Sequence, residues 1–371
     1  MLFSKYNLRF QKSFLARLFA SSLDIFYIRH KREYDNPKNI LVIRKDEIGD
    51  LILSLPIYEN LRKNFQDAKI TVICSKKSSK ILENNPNINE IIYFEDIFPK
   101  GKSKLIGSLF KASKILKEKK FDLGIDPKGS IINIFLMYLS RIKRRISYYN
   151  VSGGKAFLTD PIFYEKQIHE IESNLKLLEK SLNLKTEYFI PRIYLTDKEI
   201  KETEDFLKTK GLEKGNYCCV YPIPSKISKM WKLENFRKVI ENFPKTKFVV
   251  FGVEDDKEKI EFIIKNCKNC IPLYNYDLRK LYYVLKKAKA VLCVDGGPMH
   301  LAWIANKKVI ALFGQNDISL WKPLNSGEVI THFPIEKQGL KREIPYFDKE
   351  NKYMNMISVE EVANKLKNKL K

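Results

Sequence analysis

Short apolar runs and helix-period stretches alternate along nearly the whole chain. In the first half, apolar runs at 39–43 (NILVI), 69–74 (KITVIC), 90–94 (EIIYF) and 121–126 (FDLGID) predict strands, with helical patterns between them at 50–65, 77–84 and 103–118. The alternation restarts in the second half. Strands are predicted there at 216–221 (NYCCVY), 246–252 (TKFVVFG), 270–273 (CIPL), 289–294 (KAVLCV) and 307–313 (KKVIALF), and helices at 234–242, 255–265, 277–288 and 299–306. A helical pattern at 167–183 lies between the halves. The stretch after it, "LKTEYFIPRIYLTDKE", has no strong periodicity and contains Pro191, which puts a linker near 184–196. The chain closes on "SVEEVANKLKNKLK", where Ser358 can N-cap an amphipathic helix.

Strand–helix–strand alternation predicts parallel sheets covered by helices on both faces. A length of 371 residues accommodates two such domains. The expected organisation is a basic amphipathic extension at 1–37, a first Rossmann-like domain at 38–190, a second at 191–356 and a C-terminal helix at 357–371. Ligands of open α/β sheets bind outside the carboxyl ends of the strands, so the cleft between two such units is the expected site.

Composition narrows the function classes. Hydrophobic residues make up 44%, enough for real cores and incompatible with a disordered chain. The net charge of +24 points to a polyanionic partner: nucleic acid, anionic lipid or a phosphorylated glycan. Abundant Lys, Ile and Asn are also what A/T-rich codon usage yields; that accounts less well for Arg141, Lys143, Arg144 and Arg145 in "RIKRR". Four of the six cysteines (Cys74, Cys218, Cys219 and Cys293) sit in or beside apolar runs and read as small core residues. Cys267 and Cys270 form a C-x-x-C with no second pair or histidine nearby, so no zinc site is expected, and a reducing cytoplasm fits. Arg17 and Asp24 interrupt the apolar stretch of the N-terminus, so it reads as neither a signal peptide nor a membrane span. Two readings of it stand: a helix lying on an anionic membrane, or a first helix packed on the domain.

Candidate chemistry gathers where strands end. In "ILVIRKDEIGDLILSLP" (40–56), Asp46, Glu47 and Asp50 follow the first strand, and Gly49-Asp50 opens a helix. A carboxylate there can take a proton from a hydroxyl nucleophile, or simply stabilise the helix start. In "VDGGPMHLA" (294–302), Asp295 ends a strand, Gly296 and Gly297 allow close backbone approach, Pro298 suits a helix start and His300 lies on the first turn. Free N–H groups at such a start suit a diphosphate, although an ordinary tight turn looks the same. Neither a G-x-G-x-x-G nor a P-loop occurs, and the absence of G-x-S-x-G removes a hydrolase reading of His300. Ser225, Lys226, Ser228, Lys229 and Trp231 follow strand 216–221, where a lysine can neutralise phosphate. Glu254, Asp255 and Asp256 follow the next strand, where a carboxylate can accept hydrogen bonds from sugar hydroxyls.

These blocks, in this order and spacing, resemble the ADP-heptose:lipopolysaccharide heptosyltransferases, glycosyltransferase family 9. The resemblance runs from about 38 to 325, with a weaker echo at 354–370, and is carried by "ILVIRKDEIGDLILSLPIYENLRKNF", "FDLGIDPKGS" with the "RRIS" after it, "IHEIESNLKLLE", and "VDGGPMHLAWIANKKVIALFGQND" followed by Trp321 and Pro323. It implies a GT-B fold and transfer of heptose from ADP-heptose to an inner-core sugar, with inversion and with neither a required metal nor a cofactor. It implies that Asp50 is the general base, that Lys229 binds phosphate, and that Asp295, Gly296, Gly297 and His300 form the diphosphate turn. Asp256 falls on the nucleotide- or sugar-contacting acid, with Glu254 as the alternative; Gly49, Ser225 and Asp126 are further candidate contacts. It also implies a cytoplasmic enzyme, peripheral on the inner membrane, with a nucleotide sugar and a lipopolysaccharide-type acceptor as partners.

Two departures stand out. Gly296 replaces the family's usual hydroxyl residue, and "HFPIEKQGLKREIPYFDKENKYMNMIS" lacks the cysteine-rich stretch of many members. A GT-B transferase using another nucleotide sugar for capsule or protein-linked glycan is the rival reading. A non-catalytic RNA-binding protein is disfavoured: no RRM, KH or zinc signature occurs, and the aromatics are not interleaved with basic residues, so no nucleic acid is expected.

Overall fold

The structure is a computed structural model that describes residues 36–371 apart from 46, 99–104, 166, 306–307, 325–326 and 335–350. The expected extension therefore lies, through residue 35, outside the described residues, as do Asp46 and most of the departure at 332–358. The chain forms two compact units. One holds the described residues up to Glu165 with Glu170–Phe189; the other holds Gln167–His169 and the described residues from Ile190 on.

Unit 1 is built on a parallel six-stranded sheet in the order β3-β2-β1-β4-β5-β6. Its strands are β1 (Asn39–Ile43), β2 (Lys69–Cys74), β3 (Glu90–Tyr93), β4 (Leu123–Asp126), β5 (Arg144–Tyr148) and β6 (Asp160–Ile162), and its longer helices are α1 (Ile48–Asn64), α2 (Leu105–Glu118), α3 (Ile131–Leu139) and α4 (Glu170–Leu182). Ile40 to Ile43 are fully buried, as a central strand covered on both faces requires. β1 pairs with β2 on one side (Val42 opposite Val72) and with β4 on the other (Val42 opposite Ile125). The connections run outward in opposite directions from that point, which makes the β1/β4 junction the topological switch of the sheet.

Unit 2 repeats the design in the order β12-β11-β10-β7-β8-β9. Its strands are β7 (Tyr217–Tyr221), β8 (Lys247–Gly252), β9 (Cys270–Tyr274), β10 (Ala290–Val294), β11 (Val309–Phe313) and β12 (Glu328–Thr331). Its longer helices are α5 (Asp197–Thr209), α6 (Leu233–Glu241), α7 (Lys257–Ile264), α8 (Leu278–Lys287), α9 (Gly297–Ala305) and α10 (Val359–Leu370). Here the switch lies between β7 and β10. The prolines of the two sheets, Pro161 and Pro272, stand in edge strands β6 and β9, where no central ladder needs their missing N–H. Ser358 caps α10 by accepting from the Glu361 N–H (3.1 Å), and Val362 and Leu366 enter the core of unit 2.

Several elements differ from the sequence-based expectation. β5 carries Arg144 and Arg145, which read as a charge run. Both side chains are satisfied by neighbouring segments, Arg144 by Asp160 (2.9 Å) and Arg145 by the Phe157 carbonyl (2.7 Å). β6 and β12 are too short for periodicity to show. α3 is apolar on nearly every face, so it has no period to read. α5 starts at a capping box, Thr196 with Glu199, inside the expected linker. The helix expected at 77–84 is one turn, Lys76–Ser79. Among the described residues, no helix is long and apolar enough to cross a membrane.

Trp231 fixes the loop after β7. Its ring is fully buried, packs edge-on against Phe236 at 4.9 Å, and its Nε1 donates to the Ile357 carbonyl at 3.1 Å. Trp231→Ala removes that wedge and leaves the carbonyl unpaired. Urea unfolding monitored on unit 2 is expected to show a loss of about 3–5 kcal/mol.

Candidate active site

Each switch point collects the polar residues that leave its two central strands. In unit 1 the loop after β1 begins with Arg44. Its guanidinium is buried, pairs with Glu170 Oε1 at 2.9 Å, and lies 3.4 Å from the backbone carbonyl of Asp50 through both Nε and Nη2. Burial opposes the charge of Arg44, but the Glu170 and Asp50 carboxylates outweigh it and hold the group above its usual value. Burial pushes the Glu170 carboxyl up, with Arg44 pulling against it. Gly49 is buried, and Asp50 sits half-buried in the first turn of α1, where the helix dipole favours its charge.

Asp126 ends β4 beside this point, but its carboxylate turns inward. It is wholly buried and accepts from the Ser130 N–H (2.8 Å), Asn133 Nδ2 (2.9 Å) and Ser147 Oγ (2.9 Å). Burial nevertheless raises its pKa. Asp126 thus orders the 127–130 loop and has no exposed surface to offer a ligand. That loop carries Gly129 at φ 71°, where an added Cβ would come within 2.6 Å of the Tyr148 carbonyl. It also carries Lys128, whose amine is lowered to about 8 by desolvation first and then by repulsion from Arg44 and Lys45.

In unit 2 the structure joins two residues that sequence could only place at the same edge. Lys229, on the one-turn helix Ile227–Lys229 after β7, meets Asp295, at the end of β10, with Nζ 2.9 Å from Oδ2. Asn316 donates to the same Asp295 oxygen. Asp295 is 4% exposed, so the pair is held by packing as well as charge. His300, on α9, is equally buried; its Nδ1 has no hydrogen-bond partner among the described residues, and its ring meets Trp321 at 6.4 Å. Burial first, then repulsion from His169 and Lys229, lowers its pKa to about 4 despite Asp295. At neutral pH it is therefore a neutral imidazole. His169, which reaches unit 2 ahead of α4, bonds through Nε2 to the Lys322 carbonyl at 3.0 Å.

The acidic loop after β8 sorts itself by exposure. Glu254 and Asp255 face solvent, whereas Asp256 is half-buried, stands just before α7, pairs with Lys259 at 3.0 Å and adds to the upward push on Tyr221 at the end of β7. Ser225 lies exposed on the β7 loop. Sequence reasoning passed over Arg44, Glu170, Asn316 and His169. All four stood inside quoted motifs, but only the fold reveals which of their neighbours they meet. Among the described residues, no group of three or more His, Cys, Asp or Glu is arranged to hold a metal ion.

Known proteins match this architecture. The family model described as glycosyltransferase family 9 (heptosyltransferase) matches residues 109–350. The chain belongs to that family. Lipopolysaccharide heptosyltransferase 3 of Escherichia coli is 26% identical over 326 residues, covering 84% of this chain and 92% of the relative. A family 9 glycosyltransferase from Veillonella parvula superposes with a TM-score of 0.76 at 21% identity, covering 91% of this chain and 98% of its own. The E. coli ADP-heptose lipopolysaccharide heptosyltransferase II does so at 0.72 and 20%, covering 90% and 98%. The fold is thus GT-B in type, and the protein is a glycosyltransferase.

Gly296 stands where the resemblance leads a hydroxyl residue to be expected. A Cβ there would touch only Pro298 Cδ, at 3.8 Å, and the backbone does not adopt positive φ. Neither sterics nor conformation requires glycine. Gly296→Ser should fold as the parent does and place a hydroxyl at the start of α9. Isothermal titration is expected to show ADP binding tightened by roughly threefold to tenfold, the worth of one ordinary hydrogen bond.

His300 sets a pH window. Its folded pKa of about 4 lies below the usual 6.5, so between those values the unfolded chain binds more protons than the folded one. Stability from this group is fully present above pH 6.5 and falls as pH drops towards 4, by roughly 3 kcal/mol in all. Urea unfolding across that range should show His300→Gln losing correspondingly less stability than the parent.

Proposed function

We propose that the protein transfers a heptose from ADP-heptose to an inner-core sugar of lipopolysaccharide or a related surface glycan. The observation that carries this reading is the Lys229–Asp295 pair, which presents an oriented ammonium beside the start of α9. A departing diphosphate needs that arrangement, because it gathers negative charge as the sugar leaves. The E. coli relative named for ADP-heptose supports the choice of donor.

In this reading Asp50 accepts the proton of the acceptor hydroxyl. The oxygen attacks the anomeric carbon, the bond to the diphosphate breaks, and the configuration inverts. Lys229 and the N–H groups at Gly296 and Gly297 take up the charge of the leaving ADP, so the step needs no resident metal or cofactor. Asp295, with Asn316, aims Lys229. His300, neutral, contributes a hydrogen bond rather than a charge. Asp256 serves the hydroxyls of ribose or sugar, with Glu254 and Asp255 too exposed to compete. Gly49 lets the acceptor approach the start of α1, and Ser225 flanks the donor. The acceptor is a membrane glycolipid, which assigns the work to the cytoplasmic face of the inner membrane. Because Gly296 lacks the usual hydroxyl, a different nucleotide sugar is the alternative reading.

Asp50→Ala is expected to lower kcat by about 10²- to 10⁴-fold while ADP binding stays at the parental value. Lys229→Ala should weaken both. Full transfer by Asp50→Ala would remove the base assignment. In thermal-shift measurements, stabilisation by UDP-sugars and not by ADP-sugars would overturn the donor.

A further inference from the structure

The first unit turns two large aromatic side chains, Phe110 and Tyr138, to solvent beside its core. α2 and α3 both pack on the core cluster of unit 1, through Leu109, Ala112 and Leu116 on one and Ile134, Leu136 and Met137 on the other. Their outer faces therefore point away from the sheet on the same side. On α2 that face holds Phe110, 57% exposed, with Lys114 and Lys117 at helical spacing. On α3 it holds Tyr138, 46% exposed, with half-buried Ile131, Phe135 and Leu139, the last two also packed on that core cluster. Phe157 joins them, its ring 5.2 Å from Phe135 and 5.1 Å from Tyr138, and the Arg145 guanidinium lies 5.5 Å from the Tyr138 ring.

The charge around this surface is mostly positive. Residues 127–159 contain no aspartate or glutamate, and neither do residues 105–117. Lys143 and Arg144 are paired with Asp122 and Asp160. Lys111, Lys114, Lys117, Arg141, Arg145 and Lys155 lie on the same segments and give them a positive excess. Codon bias scatters lysines; it does not empty a segment of acids or place phenylalanine and tyrosine in water.

We infer that the outer face of α2 and α3, with Phe157, docks on the surface of an anionic phospholipid bilayer. Phe110 and Tyr138 enter the headgroup boundary, and the lysines and arginines meet the lipid phosphates. This rests on the reading that the acceptor is a membrane glycolipid, and it assigns the contact to the folded domain rather than to residues 1–35.

The test is co-sedimentation of the full chain with vesicles of phosphatidylcholine alone or mixed with phosphatidylglycerol. Binding is expected only to the mixed vesicles, falling as salt rises. The double variant Phe110→Ser, Tyr138→Ser should bind about tenfold more weakly, with an unchanged melting curve. Heptose transfer to a lipid-free acceptor should also be unchanged, and that assay separates failure here from failure of the transferase reading. Undiminished vesicle binding by the double variant would overturn the inference. So would loss of binding on deleting residues 1–35 alone, dimerisation of the parent that the double variant abolishes, or binding to an RNA homopolymer in preference to the vesicles.

Discussion

Both sheets are parallel throughout, and a parallel sheet imposes one constraint from which the rest follows: every strand leaves at the same edge. The chain must return over a face before it can form the next strand. Loops after strands therefore accumulate at one edge, and helices begin there with their N–H groups free. Where the direction of winding reverses, two neighbouring loops part and leave room. Asp50 and Asp126 follow the two strands that flank the switch in unit 1; Lys229 and Asp295 do so in unit 2.

The two switch points use their charges differently. In unit 1 the strongest pairing, Arg44 with Glu170, is buried and internal. It leaves Asp50 in the first turn of a helix beside a fixed positive charge. Asp126 is consumed in ordering its own loop. In unit 2 the pair joins the loops after the two central strands: Asp295 holds Lys229 in place, and Asn316 holds Asp295. An ammonium kept in position by a buried carboxylate costs little reorganisation when an anion arrives, which is what a leaving diphosphate requires.

Legibility followed physical range. The central strands β1, β7, β10 and β11 were readable because burial on both faces makes them nearly continuous apolar runs. Edge strands β6 and β12 were not, since three or four residues with one neighbour need little hydrophobicity. β5 was hidden by two arginines whose partners, Asp160 and the Phe157 carbonyl, lie 12 or more residues away. Asp126 shows the same limit within the site. At the end of a strand it looked like a contact for a ligand, and only the positions of Ser130, Asn133 and Ser147 reveal that its hydrogen bonds are already made.

The sequence by itself determined the alternation of elements, the two-unit design, the family and the edge at which the candidate residues gather. Each of these depends on residue type, local spacing or the order of motifs along the chain. Only the tertiary structure decided which charges meet. Lys229 and Asp295 are 66 residues apart, and Arg44 and Glu170 are 126 apart. It also decided that His300 is neutral and that Asp256, among three adjacent acids, is the one turned inward. Pairing, burial and desolvation are properties of surroundings assembled from distant segments, and no local pattern encodes them.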